Sequence, residues 1–260
     1  MSTLLGKVIV GADLRLMTGT RVGGSQGGLK IGGVDLNVIT DPLGRPYIPG
    51  SSIKGKMRTL TERVLRVQIS DRGTHSCRSA SEYGDCVVCR TYGTLQSFER
   101  EGVPTLTRLV ARDVFLLESS VTEDMRANME MEFTEVKTET AIDRISGTAL
   151  RGSLRQIERV PAGAIFRPAE LVFNVFEEGD KGLLKYLFVA LELLEDDYLG
   201  GMGSRGCGKV KFEGIKVWWN TAKDYGDGNV DLSKKPAVNG DMATPSLLVR
   251  GFDDLKAKLT

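Results

Sequence analysis

The chain has 260 residues, of which 41% are hydrophobic and 27% are charged, and its formal net charge at pH 7 is +1. These values are typical of a globular protein with one large domain or two small ones, and they exclude a disordered chain. Because the net charge is close to zero, a polyanion would have to bind a local basic patch. No apolar run approaches the roughly 20 residues of a membrane span, and the N-terminus lacks a signal-peptide pattern, so we expect a cytoplasmic protein that does not associate with a membrane.

The N-terminal part predicts a strand followed by a glycine-rich loop. Residues 4–17 approach the alternation of apolar and polar side chains that is typical of a strand. Residues 23–33 then contain six glycines and few side chains that could enter a core. Such a loop can bring backbone close to a ligand, and a flexible surface loop is the alternative. Asp35 ends this tract.

Residues 40–58, TDPLGRPYIPGSSIKGKMR, predict a fixed loop that leads into a helix. Prolines and glycines exclude a regular element before the serine pair, and we expect the helix to begin at Ser51 or Ser52. Its buried stripe would comprise Ile53, Met57, Leu60 and Val64. Lys54 and Arg58 share another face near the positive end of the helix dipole, which favours a site for phosphate or another anion. A capped surface helix with solvated lysines is the alternative.

The next region contains the only histidine and three of the four cysteines. His75, Cys77, Cys86 and Cys89 have the spacing H-x-C-x8-C-x2-C. One imidazole and three thiolates complete the four-coordinate shell of structural Zn²⁺ and leave no open position for a catalytic water. Cytoplasmic cysteines are usually reduced, so a metal is favoured over a disulfide. We therefore predict a zinc-binding insertion over residues 70–93; free thiols beside a solvated histidine are the alternative.

Residues 105–118 return to a strand pattern, on which Arg108 and Arg112 would share one face. The polar segment that follows predicts an extended hairpin or arm with a poorly packed tip, within residues 119–160. It contains the cations Lys137, Arg144 and Arg155, among others, and a charged surface insertion is the alternative. Two strands, 165–166 and 171–176, should come next.

A wide apolar stripe over residues 181–201 predicts a second core helix that ends at Gly200 and Gly201. The glycines that continue to Gly208 exceed what a helix stop requires. The order helix, loop, strand excludes a Walker loop, so any phosphate contact would come from backbone amides, Arg205 and Lys209. A tight crossover into the strand 209–219 is the alternative. The order of all predicted elements favours an α+β domain with a ferredoxin-like core and long insertions.

Three motifs occur in order along the chain: IGGVDLNVITDPLGRPYIPGSSIKGKMRTL, ETAIDRISGTALRGSLRQIERVPAGAIF and LGGMGSRGCGKVKF. Together they resemble the RAMP superfamily of CRISPR effector proteins, with the best match to the repeated backbone subunit of the type III-A (Csm) interference complex, over most of residues 1–218. The resemblance implies a single RAMP domain, 1–260, with a ferredoxin-like (RRM-like) palm and a thumb hairpin that inserts into the guide–target duplex. It also implies four partners: guide RNA, single-stranded target RNA, further copies of the chain stacked head to tail, and other subunits of the Csm complex.

The resemblance also implies roles for individual residues. Asp35 lies at the motif position to which the family assigns cleavage of target RNA. The guide-binding SSIKGKMR motif places Ser52, Lys54, Lys56 and Arg58 on the guide. With the cations and loop residues above, the predicted RNA contacts are Arg21, Ser52, Lys54, Lys56, Arg58, Lys137, Arg144, Arg155, Gly203, Arg205 and Lys209. The match departs from the family at Arg21, where many relatives have histidine, although a cation is retained.

The expected activity is that of an endoribonuclease, metal-dependent and active mainly in the assembled complex. Because His75 is assigned to zinc, a two-histidine mechanism is excluded, and the 2′-hydroxyl of RNA must supply the nucleophile. Asp35 would hold Mg²⁺ or another divalent ion, or would act as the base. The alternative is a non-catalytic RNA-binding scaffold. A guide-processing RAMP nuclease is less favoured, since that activity generally relies on a histidine near the N-terminus.

Overall fold

The computed structural model describes residues 3–23, 36–71, 73–94, 106–230, 236 and 244–259. The strands are β1 Gly6–Leu16, β2 Tyr47–Ile48, β3 Leu109–Ala111, β4 Val114–Leu116, β5 Glu135–Glu139, β6 Arg155–Arg159, β7 Ile165–Val175 and β8 Val210–Thr221. The helices are α1 Gly50–Val64, α2 Ala80–Asp85, α3 Val87–Tyr92, α4 Glu123–Ala127, α5 Asp180–Asp196, α6 Ala222–Gly226, α7 Pro245–Arg250 and α8 Phe252–Ala257. In these ranges, no helix combines the length and the apolar character needed to cross a bilayer.

Six strands form one antiparallel sheet in the order β2, β4, β7, β1, β8, and β3 also pairs with β7. The first predicted strand is confirmed as β1, with Val8, Val10 and Leu14 buried. The prediction of two strands after residue 164 is wrong, because β7 is one continuous strand. It pairs with β1 on one side and with β3 and β4 on the other, and its register with β1 shifts between Phe166 and Ala169.

The two long helices pack against each other and on one face of the sheet. Ile53 of α1 and Leu191 of α5 line a small apolar cavity together with Val10 and Leu171 of the sheet. Both predicted apolar stripes are confirmed, except that Val64 at the end of α1 is 49% exposed. Helix α5 ends at Asp196 rather than at the predicted glycines, because the Leu199 amide bonds to the carbonyl of Gly208 instead of continuing the helix.

Helix α1 begins one residue earlier than the serine pair predicts. Pro49 occupies the N-cap position and supplies no side-chain cap. The Gly50 amide donates instead to Asp113 Oδ1 at 2.8 Å. Only glycine fits there, since a Cβ on Gly50 would lie 2.2 Å from the Ala111 carbonyl oxygen. The cap therefore comes from the bend between β3 and β4.

The two arginines of the predicted strand flank β3 and differ in their exposure. Arg108 is buried before β3, whereas the Arg112 side chain is 62% exposed after it. The predicted strand 105–118 is thus two short strands in its described part, 106–118. The bend between them turns Asp113 toward α1.

Candidate nucleic-acid interface and metal centre

Strands β5 and β6 form a separate hairpin that projects from the domain. Their register runs from Glu135 opposite Arg159 to Glu139 opposite Arg155. The tip, residues 140–154, exposes large apolar side chains: Ile142 is 56%, Ile145 99%, Leu150 52% and Leu154 68% exposed. The predicted RNA contact Arg144 is also exposed at this tip.

One carboxylate, at the end of β5 next to the hairpin tip, brings three of the predicted RNA contacts together. Glu139 lies 2.9 Å from Lys137 Nζ, 3.2 Å from Arg155 Nη2 and 3.9 Å from Arg205 Nη1. The hydrogen bond from Lys137 and the nearby Arg155 lower the pKa of Glu139. Lys137 also donates to the carbonyl of Arg205 at 3.2 Å, which ties the hairpin to the glycine-rich loop after α5.

The segment that follows Asp35 is anchored nearer to the base of this hairpin. Leu36 pairs with Ile157, and its carbonyl accepts from the Glu158 amide at 3.0 Å. The carboxylate of Glu158 accepts from the Val38 amide at 2.8 Å and from Thr134 Oγ1 at 2.7 Å. Asp35, the predicted catalytic residue, lies outside the described residues.

The glycine-rich loop after α5 contacts the chain around Arg21. The Gly201 amide donates to the Arg21 carbonyl at 2.8 Å, and a Cβ on Gly200 would lie 2.1 Å from that oxygen. Gly200 also has φ +85°, which glycine adopts without strain. Arg21 Nε is buried and has no hydrogen-bond partner among the residues that the structure describes. The loop thus places Arg21 beside the glycine backbone, and the side chain of Lys209 is exposed at its far end.

The three cations of α1 that are predicted to bind RNA, Lys54, Lys56 and Arg58, are engaged by the protein itself. Lys54 Nζ donates to Thr107 Oγ1 at 3.1 Å and to the Leu109 carbonyl at 2.9 Å, and burial lowers the pKa of Lys54, helped by the nearby Arg58. Lys56 Nζ lies 3.0 Å from Asp197 Oδ2. The anion site expected at the start of α1 already holds the Asp113 carboxylate on its first amide. Half-buried Ser52 lies in that first turn, and its own RNA contact stays a prediction, as do those of the lysines.

Arg58 joins α1 to the cysteine-rich segment. Its guanidinium donates to Glu62 Oε1 at 2.9 Å, to the carbonyl of Gly93 at 3.1 Å and to the carbonyl of His75 at 2.6 Å. These contacts clamp both ends of the segment that contains the four predicted metal ligands. Arg58 therefore has a structural role here, beside its predicted one.

The four predicted metal ligands converge. One ligand atom from each of His75, Cys77, Cys86 and Cys89 lies within 4.8 Å of all the others. His75 Nε2 is 3.3 Å from Cys86 Sγ and 3.7 Å from Cys77 Sγ, and the other ring nitrogen contacts the Gln68 carbonyl at 2.9 Å. Backbone amides of Cys89 and Cys77 donate to the sulfurs of Cys86 and Cys89, each at 3.3 Å. This group can hold a metal ion.

The thiols of this cluster do not titrate alike. The hydrogen bond from the Cys89 thiol, opposed by burial, lowers the pKa of Cys86 to about 4. Burial raises the pKa of Cys77 to about 11. The neighbouring Cys86 and burial also raise the pKa of Cys89. The thiolate is the form of cysteine that binds a metal ion, so the lowered pKa of Cys86 favours cation binding beside the His75 ring.

Comparison with known proteins identifies the family. Residues 8–211 match the model of the RAMP superfamily. The chain belongs to this superfamily. A RAMP relative, the CRISPR system Cms endoribonuclease Csm3 of Methanocaldococcus jannaschii, is 41% identical over 237 residues, which are 90% of this chain and 89% of that protein. The protein of the same name from Streptococcus thermophilus is 37% identical over 215 residues, 81% of this chain and 89% of its own.

Two solved structures are similar to this RAMP chain. The Csm3–Csm4 subcomplex in the type III-A CRISPR-Cas interference complex contains a chain that is 31% identical, with a TM-score of 0.59 and 97% of each chain covered. Methanopyrus kandleri Csm3 is 22% identical, with a TM-score of 0.65 and 99% of each chain covered, and it supports the fold alone.

Several residues that organise this RAMP site carry no local sequence signal. Glu158 anchors the segment after Asp35, and Asp113 caps α1 from 63 residues away in the sequence. Tyr198, just before the glycine pair, lies under the Lys56 ammonium. An acidic residue directly after a buried apolar one, as in Ile157-Glu158, is the one pattern that could have indicated such a role.

Proposed function

We propose that this chain is a guide-RNA-binding backbone subunit of a type III-A CRISPR interference complex and an endoribonuclease that cleaves complementary target RNA at regular intervals. The observation that carries the proposal is 41% identity, over 90% of the chain, to a relative named as a Csm3 endoribonuclease. The similar chain in the Csm3–Csm4 subcomplex supports assembly with other Csm subunits. Further copies of this chain would stack head to tail along the guide.

The strand order supports a ferredoxin-like (RRM-like) palm. Strands β4, β7, β1 and β8 are neighbours in that order, and α1 and α5 pack on one face, as a split βαβ arrangement requires. The β5–β6 hairpin would be the thumb, within an insertion that we place at residues 119–160. The segment 70–93 would be a second insertion.

The guide backbone would bind where the strands of the hairpin meet the glycine-rich loop, close to the hairpin tip. Arg155, Arg205 and Lys137 converge there on one carboxylate. A guanidinium has five N–H donors, so pairing with Glu139 leaves donors for phosphate oxygens. Glycine backbone at Gly203 allows the RNA to approach closely. Arg21, Lys209 and the α1 cations would extend this surface.

Cleavage would use the 2′-hydroxyl of the target RNA. Its oxygen attacks the adjacent phosphorus while the bond to the 5′-oxygen breaks, leaving a 2′,3′-cyclic phosphate and a 5′-hydroxyl. Asp35 would accept the hydroxyl proton or hold a divalent ion such as Mg²⁺, and the leaving oxygen takes a proton from water. Bound, such an ion would neutralise phosphate charge. The anchoring of Leu36 at the hairpin base supports cleavage beside the thumb.

The test uses the reconstituted complex with labelled target RNA. The wild type should give evenly spaced products with cyclic phosphate ends, and Asp35→Ala and Asp35→Asn should bind target without cutting it. Asp71→Ala, an exposed turn residue, is the control and should cut normally. EDTA should stop cleavage and Mg²⁺ should restore it. Wild-type cutting by Asp35→Ala would contradict the assignment, and binding without cutting by the wild type would favour the scaffold alternative.

We further propose that His75, Cys77, Cys86 and Cys89 hold a structural zinc ion. Ligand bonds of zinc to sulfur and nitrogen give a tetrahedron with edges of roughly 3.5–3.8 Å. The distances of His75 Nε2 from the sulfurs of Cys86 and Cys77, 3.3 and 3.7 Å, support this size. The ring nitrogen held by the Gln68 carbonyl fixes the other nitrogen toward the sulfurs. Metal analysis of natively purified protein should find about one zinc per chain. Cys86→Ser should lose it, and a zinc-free native protein would contradict the proposal.

A further inference from the structure

Tyr198 contacts two separate parts of the proposed RNA surface. The Lys56 ammonium of α1 lies 3.6 Å from the centroid of its ring and 3.0 Å from Asp197 Oδ2. Gly203 packs so closely on the same ring that a Cβ there would lie 2.0 Å from Tyr198 Cγ. The ring is therefore the shared neighbour of the helix cation and of the loop.

The loop is folded around the residue next to this ring. The Leu199 amide donates to the Gly208 carbonyl at 2.8 Å, and a Cβ on Gly208 would lie 2.4 Å from the Leu199 carbonyl oxygen. Met202 adopts a left-handed conformation, with φ +64°, to bring Gly203 back onto the ring. The loop thus has little freedom to move without displacing Tyr198.

The ring also restricts Lys56. A lysine side chain has many rotamers, and holding its ammonium in one place costs conformational entropy. An aromatic face attracts the ammonium, and Asp197 accepts one of its three N–H donors. Because the Lys56 side chain keeps 16% of its surface exposed, a donor remains for a ligand.

We propose that Tyr198 is a positioning residue for guide RNA, whose ring fixes the Lys56 ammonium and the Gly203 backbone relative to each other so that both meet the same stretch of RNA. The inference rests on the proposed function. Tyr198 acts through Lys56 and the loop rather than by stacking on a base.

Binding of a labelled single-stranded guide RNA to the full-length chain tests this inference at several salt concentrations. Tyr198→Leu should weaken binding about tenfold and reduce the slope of log Kd against log salt by about 0.7, the value of one lost phosphate contact on a single strand. Tyr198→Phe keeps the ring and should bind within about twofold of the wild type. Lys56→Met should match Tyr198→Leu, and the double variant should be no weaker than either single variant.

Tyr225→Leu is the matched control. Tyr225 is 39% exposed on α6, which follows the C-terminal end of β8, where β8 pairs with Gly6. The glycine-rich loop leads into the opposite end of β8, which pairs with Leu16. The Tyr225→Leu variant should bind RNA with the wild-type affinity and should unfold with the wild-type free energy. Gly203→Ala provides a second route if Tyr198→Leu does not fold, because its methyl group displaces the same ring, and it should also weaken binding.

Three results would overturn the inference. The first is normal RNA binding by Tyr198→Leu, or by Gly203→Ala where Tyr198→Leu does not fold. The second is an additive loss of binding in the double variant, which would mean that Tyr198 contacts RNA independently of Lys56, and the third is a loss in Tyr198→Phe equal to that in Tyr198→Leu. Failure of the proposed function looks different. In that case the wild-type chain does not bind guide RNA, either alone or in the complex.

Discussion

The metal-ligand segment, residues 75–93, and the hairpin, residues 135–159, are attached to the same core in opposite ways. The first is held by buried charges. Arg90 and Arg108 both reach Asp180, which is fully buried, and Arg108 also donates to Tyr83 Oη at 2.8 Å. The hairpin contacts the domain through strand residues such as Ile157, which pairs with Leu36, and Lys137, which donates to the Arg205 carbonyl, while its tip exposes apolar side chains such as Ile145.

Paired buried charges fix the first segment, whereas the second exposes apolar side chains to solvent. Buried charges are stable only when paired, so the network around Asp180 holds its segment in one place. Exposed apolar side chains gain nothing from their own chain, and a contiguous group of them marks an interaction surface. Substitutions in the buried network should therefore destabilise the chain far more than substitutions at the exposed tip.

Asp180→Ala should have the largest effect. It leaves the guanidinium groups of Arg90 and Arg108 without their buried partner, and also removes the acceptor for the Phe176 amide. We expect the free energy of unfolding to fall by about 3–5 kcal/mol, measured by urea denaturation. Glu177→Ala is the control, since Glu177 belongs to the same network but is 60% exposed, and it should cost at most about 1 kcal/mol. Equal effects would contradict the view that burial makes this network important.

Removal of the proposed zinc ion should have the second largest effect on stability. An ion present at 100 to 1,000 times its Kd stabilises the folded chain by about 3–4 kcal/mol, and a chelator should remove that contribution. Limited proteolysis should then cut within the metal-ligand segment, at Arg78 or Arg90, and should leave the cleavage sites in the hairpin unchanged. Increased cutting in the hairpin instead would mean that the two segments are not independent.

Glu158→Ala tests the anchored base of the hairpin. The variant leaves the Val38 amide and the Thr134 hydroxyl without an acceptor, so unfolding should become easier by about 1–3 kcal/mol. Glu135→Ala removes a partly exposed ion pair with Arg159 from the same hairpin and should change stability by no more than about 1 kcal/mol. If the two variants behave alike, the Glu158 contacts do not anchor the segment that follows Asp35.

The features that could be predicted from the sequence arise from residues that are close to one another along the chain. The apolar stripes of α1 and α5 and the alternation of β1 repeat over many residues, and the four metal ligands lie within fifteen positions of one another. Their periods and spacing have a direct geometric meaning, and the structure brings the four ligands together.

The features that could not be predicted depend on residues that meet only after folding. The cap of α1 comes from Asp113 rather than from the adjacent serines, and β7 stays continuous because it has partners on both sides. Likewise, Lys54 and Arg58 look like free surface cations in the sequence, but backbone carbonyls distant in the sequence bind both. Side-chain spacing within one helix cannot reveal an acceptor on another element.

Ile145→Ser should have the smallest effect on stability, because a side chain that is 99% exposed loses almost no buried area when it is replaced. The free energy of unfolding should stay within about 0.5 kcal/mol of the wild type. If the hairpin tip is presented to the guide–target duplex, the same substitution should slow target cleavage by the assembled complex while guide binding is retained. Glu123→Ser, an exposed change on α4 outside the hairpin, should affect neither measurement. A stable Ile145→Ser variant that cleaves at the wild-type rate would show that the exposed apolar tip serves another contact.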